Sequence, residues 1–452
     1  MTTAAPGNGS KGPQDTAPGT DDPQGRYVSR VRRAYLAVSG FDYFADMLLT
    51  VTSVLLLQSY GMSSSAVFAL VAAVWIVEGV CEIPTGILAD MVGRRASVAL
   101  SFVLRAVGYG ALFFSDSVMV AAAGTLLAAI GGTFSSGALE AWAVDETGAR
   151  DSGDLDRLFA RGKIAENSGL VLGTLAGAAL GSLDLAWPQL AAGAACALSA
   201  VLALALMRGG PRGPRSPHAF LRGLRASGRD VVTGARLTLR GDRVLIVLIV
   251  GTAFLWMFRG VPGVQWTVVY ESLAGGHLLV LAVMRSVGSL LEIPLLGWIM
   301  ALQQRRGTAR RTVVVTASSV GAIALATAGV VRDPLVSMVC YVGFTTAFGL
   351  CMPGLRAAVN ERIEAGHRAT VLSMASLANS LLTGGGLILV GTFVDDLGSA
   401  GLSWPLAAAG FAAAGLLLAA LTSRSVPGRP SGADGPPAGP PAPAGVQDVS
   451  PV

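Results

Sequence analysis

The sequence predicts an all-α membrane protein whose twelve transmembrane helices form two pseudo-symmetric six-helix bundles. Composition, the regular recurrence of apolar runs and an internal repeat each support this fold class. Of the 452 residues, 52% are hydrophobic and only 13% are charged, whereas a soluble domain carries about 25% charged residues. Such a chain places most of its length in lipid.

Twelve apolar runs have roughly the 20 residues that an α-helix needs to cross a bilayer. We call them spans 1 to 12, and they lie at residues 34–58, 66–89, 96–114, 117–142, 158–182, 186–207, 242–270, 277–302, 312–331, 335–359, 368–394 and 401–422. They divide the chain into a disordered tail (1–33), a first bundle (34–207), a central loop (208–241), a second bundle (242–422) and a disordered Pro-rich tail (423–452). The central loop contains an arginine-bearing stretch with an amphipathic pattern.

Arginine is concentrated on one side of the predicted membrane protein. Basic residues precede span 1, follow span 12 and occupy the connections after the even-numbered spans, while the opposite connections are mainly acidic. Cytoplasmic loops carry such an excess of Lys and Arg. The pattern therefore predicts cytoplasmic termini and a multi-pass protein of a cell's inner (plasma) membrane. The net charge of +5 reflects this topology and does not indicate nucleic-acid binding.

Short sequences recur in corresponding spans of the two halves. The matched pairs are Glu82-Ile83-Pro84 with Glu292-Ile293-Pro294, Asn167-Ser168 with Asn379-Ser380, and Ala143-Val144-Asp145-Glu146 with Ala358-Val359-Asn360-Glu361. Their separations of 210, 212 and 215 residues are nearly equal. Two parallel repeats of six helices predict a binding site near the membrane midplane, between the halves.

The connection after span 2 carries the most specific motif. Its sequence is Gly86-Ile87-Leu88-Ala89-Asp90-Met91-Val92-Gly93-Arg94-Arg95, which resembles the signature loop between helices 2 and 3 of the major facilitator superfamily. The resemblance implies that Gly86, Asp90, Gly93, Arg94 and Arg95 dock this loop onto the second half and stabilise the outward-facing state. Met91 replaces the usual basic residue, and the second copy, Gln303-Gln304-Arg305-Arg306, is degenerate.

Two further segments resemble a bacterial branch of that superfamily described as drug or multidrug exporters. They are Ser135-Ser136-Gly137-Ala138-Leu139-Glu140-Ala141 and Arg368-Ala369-Thr370-Val371-Leu372-Ser373-Met374. Span 5 also carries glycines every four residues, at Gly169, Gly173, Gly177 and Gly181. This ridge resembles the glycine motif of drug/proton antiporters, but Ala178 stands where that motif has proline. Close helix packing by itself explains the ridge.

Charged residues inside the spans are the candidate functional residues, because a charge at a helix centre costs roughly 2.5–3.5 kcal/mol on insertion scales. The proton- or substrate-binding candidates are Asp42, Asp46, Glu78, Arg105, Arg259 and Arg285, and Asp46 is the first candidate for the proton carrier. Glu82, Glu140 and Glu292 lie toward the cytoplasmic end and join the conformational lock. The alternative is a set of structural ion pairs, such as Glu78 with Arg105.

These features predict a secondary active transporter rather than an enzyme. The four cysteines lie inside apolar runs and the three histidines are scattered, so we expect neither a metal site nor a cofactor. The expected activity is proton-coupled efflux of a small amphipathic drug or natural product by a monomer in the lipid bilayer. Proton-symport import remains the alternative, followed by a membrane sensor or a membrane enzyme. The substrate, the direction of transport and the choice between proton and sodium stay open.

Overall fold

The computed structural model describes residues 23–148, 152–209, 217–240, 242–306, 310–363, 368–394 and 401–422. The regular structure of these residues is helical, without a β-strand. The helices are α1 Pro23–Met47, α2 Ser53–Ser59, α3 Ser64–Val92, α4 Arg94–Phe114, α5 Val118–Thr133, α6 Ala138–Thr147, α7 Ser152–Gly181, α8 Trp187–Leu206, α9 Pro217–Arg240, α10 Arg243–Leu273, α11 Leu278–Arg306, α12 Arg310–Val330, α13 Pro334–Arg362, α14 Arg368–Gly391 and α15 Ser403–Thr422.

The helices follow the predicted spans. Within the described ranges, ten helical segments are long and apolar enough to cross a membrane, with α5 and α6 counted as one. The two other predicted spans are span 1, which comprises α1 and α2, and span 5, which is α7. Both are helical, but span 1 is interrupted and α7 carries several charged residues along its first half. Charged residues lower the mean hydropathy of α1 and α7, and the interruption separates α1 from the apolar residues of α2.

Spans 1 and 4 are broken, although the sequence predicts each as one continuous helix. In span 1, α1 ends at Met47 and α2 begins at Ser53. In span 4, α5 ends at Thr133 and α6 begins at Ala138. Gly137 precedes α6 with a φ of 68°, a left-handed conformation that glycine adopts without steric cost. Residues of the span 1 break such as Val51 and Thr52 are buried in protein, and Ser135 and Ser136 of the span 4 break line a cavity. Non-helical backbone is tolerated at both kinds of place.

The predicted N-terminal tail and the predicted central loop both contain helix. Helix α1 begins at Pro23, so residues 23–33 are helical rather than disordered, and Val31 is buried against the first bundle. The central loop contains α9, which occupies most of it. The remaining parts of the two predicted tails, residues 1–22 and 423–452, lie outside the described residues.

The two halves have corresponding packing. In the first, α1 lies against α7, and α4 lies between α5 and α8. In the second, α12 lies between α13 and α15, and α10 lies against α14 and α15. Since α4 and α12 are the third spans of their halves, each third span occupies the same place beside the fourth and sixth spans. The internal repeat in the sequence is therefore a repeat of structure.

Equivalent polar contacts tie the same ends of both halves. Arg94 forms a salt bridge with Asp145, and Arg310 forms a bidentate one with Glu361 at 2.8 and 2.6 Å. In both pairs the partners lie 51 residues apart. Asp145 and Glu361 lie 216 residues apart, whereas the matched tetrapeptides lie 215 residues apart. The structurally equivalent acids are therefore offset by one residue from the sequence match.

A second pair of contacts repeats in the same way. Tyr27 donates a hydrogen bond to Glu146 across 119 residues, which is the main reason why the pKa of Tyr27 is raised. Arg362 donates to Asp242 at 2.7 Å across 120 residues. In each half, the end of the fourth span is thus tied to the start of the first. We call this end of the molecule, which also carries α9, the loop end.

The halves meet mainly through α3 with α14 and α7 with α11. Toward the opposite end, a Cβ built on Gly391 would lie 2.8 Å from the Cβ of Phe68, so α3 and α14 touch closely there. The rings of Trp75 and Trp256 lie 5.7 Å apart across the same boundary. Toward the loop end, α3 and α14 line a cavity of about 340 Å³ together with α9, which contacts both helices.

Candidate functional site

Arg105 is the centre of a buried charge network in the first half. Its guanidinium binds the carboxylates of both Asp42 and Asp46 through separate nitrogens. Only 3% of the Arg105 side chain is exposed, compared with 20% for Asp42 and 46% for Asp46. Asp42 and Asp46 are four residues apart, so α1 presents both on one face. A guanidinium suits this role because its donors form a rigid fork and it stays charged.

Tyr109 adds a hydroxyl to this network by donating a hydrogen bond to Asp46 at 2.9 Å. It lies one helical turn beyond Arg105 on α4, so the two side chains share a face. Asp46 therefore has a cation and a neutral donor as partners. The phenol is a site residue that the sequence analysis missed, although its spacing of four from Arg105 was a usable signal.

The network opens into a cavity of about 350 Å³ between the halves. The charged residues that line it are Asp42, Asp46, Glu78, Glu82 and Arg105. Four carboxyl groups thus face one guanidinium. Because uncompensated charge is costly away from water, this cavity favours protons or a positively charged occupant over an anion.

Hydroxyl groups complete the cavity wall. Thr133, Ser135 and Ser136 come from the break in span 4, and Ser380 comes from α14 of the second half. Thr85 on α3 fixes the break by donating to the Thr133 carbonyl oxygen at 3.1 Å. The break was not predictable as part of the site, because its role depends on the neighbouring helices.

The architecture described so far agrees with the comparison with known protein families. The model of the Major Facilitator Superfamily matches residues 35–387. The chain belongs to this superfamily. It is a multi-pass membrane transporter and not an enzyme, and its all-helical fold with two pseudo-symmetric halves is the predicted one.

One curated relative is the tetracycline resistance protein, class C, of Escherichia coli, which is 24% identical over 347 residues. The match covers 75% of this chain and 83% of the relative. Among solved structures, the nucleoside transporter NupG has a TM-score of 0.67 at 14% identity and covers 87% of this chain and 100% of its own. A peptide transporter POT in complex with sulfate has a TM-score of 0.69 at 14% identity, with 89% and 98% covered. These likenesses to solved structures establish the fold.

The transporter's signature loop lies at the loop end, where Gly93 joins α3 to α4 with a φ of 96°. Arg94 binds Asp145, and Arg95 donates to the Leu204 carbonyl oxygen. Both contacts stay within the first half. Asp90 and Gly86 line the cavity that separates α3 from α14. The docking of this loop onto the second half, which the family resemblance implies, stays a prediction.

The glutamates assigned to the lock have different surroundings. Glu82 accepts a hydrogen bond from Ser376 of the second half at 3.1 Å and lines both cavities. Glu292 packs against Gly349 within the second half, where a Cβ would overlap its carboxylate. Glu140 lies exposed in the first turn of α6. Only Glu82 among these three bridges the halves through a hydrogen bond between described residues.

Arg259 and Arg285 lie apart from the acidic network. The Arg259 guanidinium stacks on Trp256 and Phe348, at 5.5 and 5.2 Å from the ring centroids. Arg285 donates to Ser289 at 2.6 Å. Within the described residues, neither arginine has a salt bridge with an acid of the first half. The suggested pairing of Glu78 with Arg105 is absent among the described side chains, since Arg105 binds Asp42 and Asp46 instead.

Proposed function

We propose that this protein is a proton-coupled exporter of small amphipathic molecules that works by alternating access. The observation that carries the proposal is the network in which Arg105 holds two carboxylates of α1 at the wall of a cavity between the halves. Asp46, the more exposed of the two acids, is the proton carrier, and Asp42 supports it. The coupling ion is taken to be a proton because one guanidinium cannot neutralise two carboxylates, and the repulsion between the two acids favours a proton on one of them.

Protonation supplies the conformational signal. A proton on Asp46 removes one charge that binds Arg105, so the contact between α1 and α4 weakens. A cationic substrate near the same acids favours the ionised form and therefore opposes the proton. Exchange follows if proton and substrate prefer different conformations, because a ligand shifts an equilibrium only by its differential affinity.

Efflux of amphipathic compounds is supported by the likeness to a tetracycline resistance protein and by the excess of acids in the cavity. The cavity of about 350 Å³ lies in the size range of small-molecule sites, roughly 300–1,000 Å³. We expect substrates that carry a positive charge and an apolar body. The arginine-rich loop end then faces the cytoplasm of the inner (plasma) membrane, as the positive-inside rule predicts.

Proton-symport import is the second candidate. It is favoured by the fold that this chain shares with transporters named for nucleosides and peptides. The same acidic network serves symport if proton and solute bind the same conformation. The direction of flux separates the two functions.

The test uses inside-out vesicles with an acidic interior and a fluorescent pH probe. Cationic, neutral and anionic amphiphiles are added to the wild type, to Asp46→Asn and to the control Asp156→Asn, which alters an exposed acid on α7. We expect cationic amphiphiles to collapse the gradient with the wild type and the control, and the response with Asp46→Asn to fall at least tenfold.

Two other results of this experiment would contradict the proposal. Equal responses from Asp46→Asn and the wild type would exclude Asp46 as the proton carrier. No response to any amphiphile from correctly folded protein, combined with solute uptake into right-side-out vesicles, would replace export with symport. Folding is checked for each variant by gel filtration in detergent.

A further inference from the structure

Helix α9 has three distinct faces. At 100° per residue, Gly223, Ser227, Val231 and Gly234 fall within about 80° of its circumference. A Cβ built on Gly223 would lie 3.0 Å from a side-chain carbon of Ile87, Ser227 and Val231 line the loop-end cavity, and Gly234 is buried. This face packs against the transporter.

The next face is apolar yet uncovered. It consists of Leu221, Leu224 and Val232, which are 47%, 37% and 50% exposed. Single exposed apolar residues are ordinary on protein surfaces, but these three lie within about 80° of the circumference of one helix, with Gly228 between Leu224 and Val232. We call them the apolar stripe.

The third face carries only positive charge. Arg222, Arg225, Arg229 and Arg236 fall within about 60° of the circumference, adjacent to the apolar stripe, and all four are exposed. Among the described side chains no salt bridge involves them. We call them the arginine stripe. This part of the helix surface lacks a protein partner of opposite charge within the described chain.

The position of α9 indicates what its apolar stripe and its arginine stripe contact. It contacts α3 beside Ile87, five residues before that helix ends, which is about 8 Å along the axis. It also packs against α14 and the beginning of the second half. The helix therefore lies at the level where the spans leave the bilayer core. An apolar stripe flanked by arginines at that level matches a bilayer interface, with acyl chains on one side and phosphate groups on the other.

We propose that α9 is an interfacial helix that binds the anionic lipid headgroups of the membrane in which the transporter sits. The apolar stripe enters the boundary between headgroups and acyl chains, and the arginine stripe binds lipid phosphates. Arginine suits phosphate because its planar fork donates two parallel hydrogen bonds. This binding depends on the membrane location of the chain and not on the direction of transport or on the substrate.

The experiment places a single fluorescent label on each face of α9 in the full-length protein. Cys81 and Cys340, which are half-buried, are first replaced by serine, while the buried Cys196 and Cys351 remain. Cysteine is then introduced as Leu224→Cys or Val232→Cys on the apolar stripe and as Ser227→Cys on the packed face. Vesicles contain phosphatidylcholine with or without phosphatidylglycerol, and a nitroxide on the lipid quenches the label.

We expect strong lipid quenching at positions 224 and 232, weak quenching at 227, and a clear loss of quenching when phosphatidylglycerol is omitted. Replacing arginines of the stripe by glutamine should weaken the binding of fluorescent phosphatidylglycerol by about fivefold per arginine. The control is Arg157→Gln with Arg161→Gln on α7, two exposed arginines at the same end. Free glycerol phosphate at millimolar concentration should not reverse the quenching.

Other results would overturn the proposal. Labels at 224 and 232 that are quenched by an aqueous quencher and not by lipid would show that the apolar stripe faces water or a soluble partner. Equal quenching in both lipid mixtures, with no effect of the arginine replacements, would show that the arginine stripe does not recognise anionic lipid headgroups. Gel filtration in detergent provides the folding check for each variant, and a failure of the proposed export would leave this proposal unaffected.

Discussion

At the scale of single residues, the partner of Arg105 decides the character of the site. Pairing with Glu78 would have tied α4 to α3, whereas pairing with Asp42 and Asp46 ties α4 to α1. The candidate proton carrier is therefore also part of the packing between two helices of one half. Protonation and helix contact are linked through one guanidinium. The sequence supplied the residue types but not this choice of partner.

Removing the guanidinium should destabilise the protein, because it leaves two carboxylates close together without their cation. For Arg105→Gln we expect a loss of about 3–5 kcal/mol, as in other cases where one partner of a buried pair is removed. The measurement is thermal unfolding in detergent at neutral pH. The double variant Arg105→Gln, Asp42→Asn should recover part of the loss, since one of the unpaired charges is gone.

A control variant separates the effect of burial on stability from the effect of losing a positive charge. Arg157→Gln removes the cation of an exposed pair with Asp154, and such pairs contribute about 0–1 kcal/mol. If Arg105→Gln were as stable as Arg157→Gln, the Arg105 network would not stabilise the first half.

At the scale of elements, the glycine ridge of α7 explains how the broken span 1 is held. Cβ atoms built on Gly169, Gly173 and Gly177 would overlap the carbonyl oxygens of Gly40, Phe44 and Leu48 in turn. Leu48 opens the break between α1 and α2. The packing interpretation of the ridge is confirmed, because the absence of side chains lets α7 approach the backbone of span 1 along its length.

A methyl group in this ridge should separate the two helices. For Gly177→Ala we expect destabilisation by about 1–3 kcal/mol, because the overlap with backbone exceeds the gain in helix propensity of roughly 1 kcal/mol. Thermal unfolding in detergent provides the measurement. Gly110→Ala on α4 is the matched control, since a Cβ there meets nothing within 4 Å. Equal stability of the two variants would contradict the close-packing explanation.

At the scale of the whole molecule, the two halves touch toward one end and diverge toward the other. Close contacts of α3 with α14 lie near Phe68 and Gly391, whereas the loop-end cavity and α9 lie between the same helices at the other end. In the proposed orientation this conformation is accessible from the cytoplasm. The described hydrogen bonds of Arg94 to Asp145 and of Arg95 to Leu204 lie within the first half.

A covalent link at the touching end should hold this conformation. Phe68→Cys with Gly391→Cys brings two Cβ atoms together at 2.8 Å, and a relaxation of about 1 Å reaches the usual 3.5–4.5 Å of a disulfide. With Cys81 and Cys340 replaced by serine, oxidation should abolish transport in vesicles and reduction should restore it. The single-cysteine variants should not respond to the oxidant. Transport at the full rate through the oxidised, cross-linked protein would refute alternation at this boundary.

The sequence was sufficient for those properties that lipid imposes on every segment separately. Apolar runs must span a fixed thickness and arginines remain at one face, so the helical membrane class and the approximate bounds of the spans followed from composition and order. The repeat and the signature loop then predicted two halves of a Major Facilitator Superfamily transporter. The face of α1 that carries Asp42 and Asp46 followed from helical periodicity alone.

The tertiary structure decided what depends on helix rotation and on neighbours distant in sequence. Arg105 pairs with Asp42 and Asp46 rather than with Glu78, and Tyr109 and Ser380 also belong to the site. Spans 1 and 4 are broken where their backbone is buried in protein or lines a cavity, so that the rule that keeps lipid-exposed segments helical does not apply there. An apolar sequence fixes which residues enter the membrane, but the packing of helices fixes which of them meet.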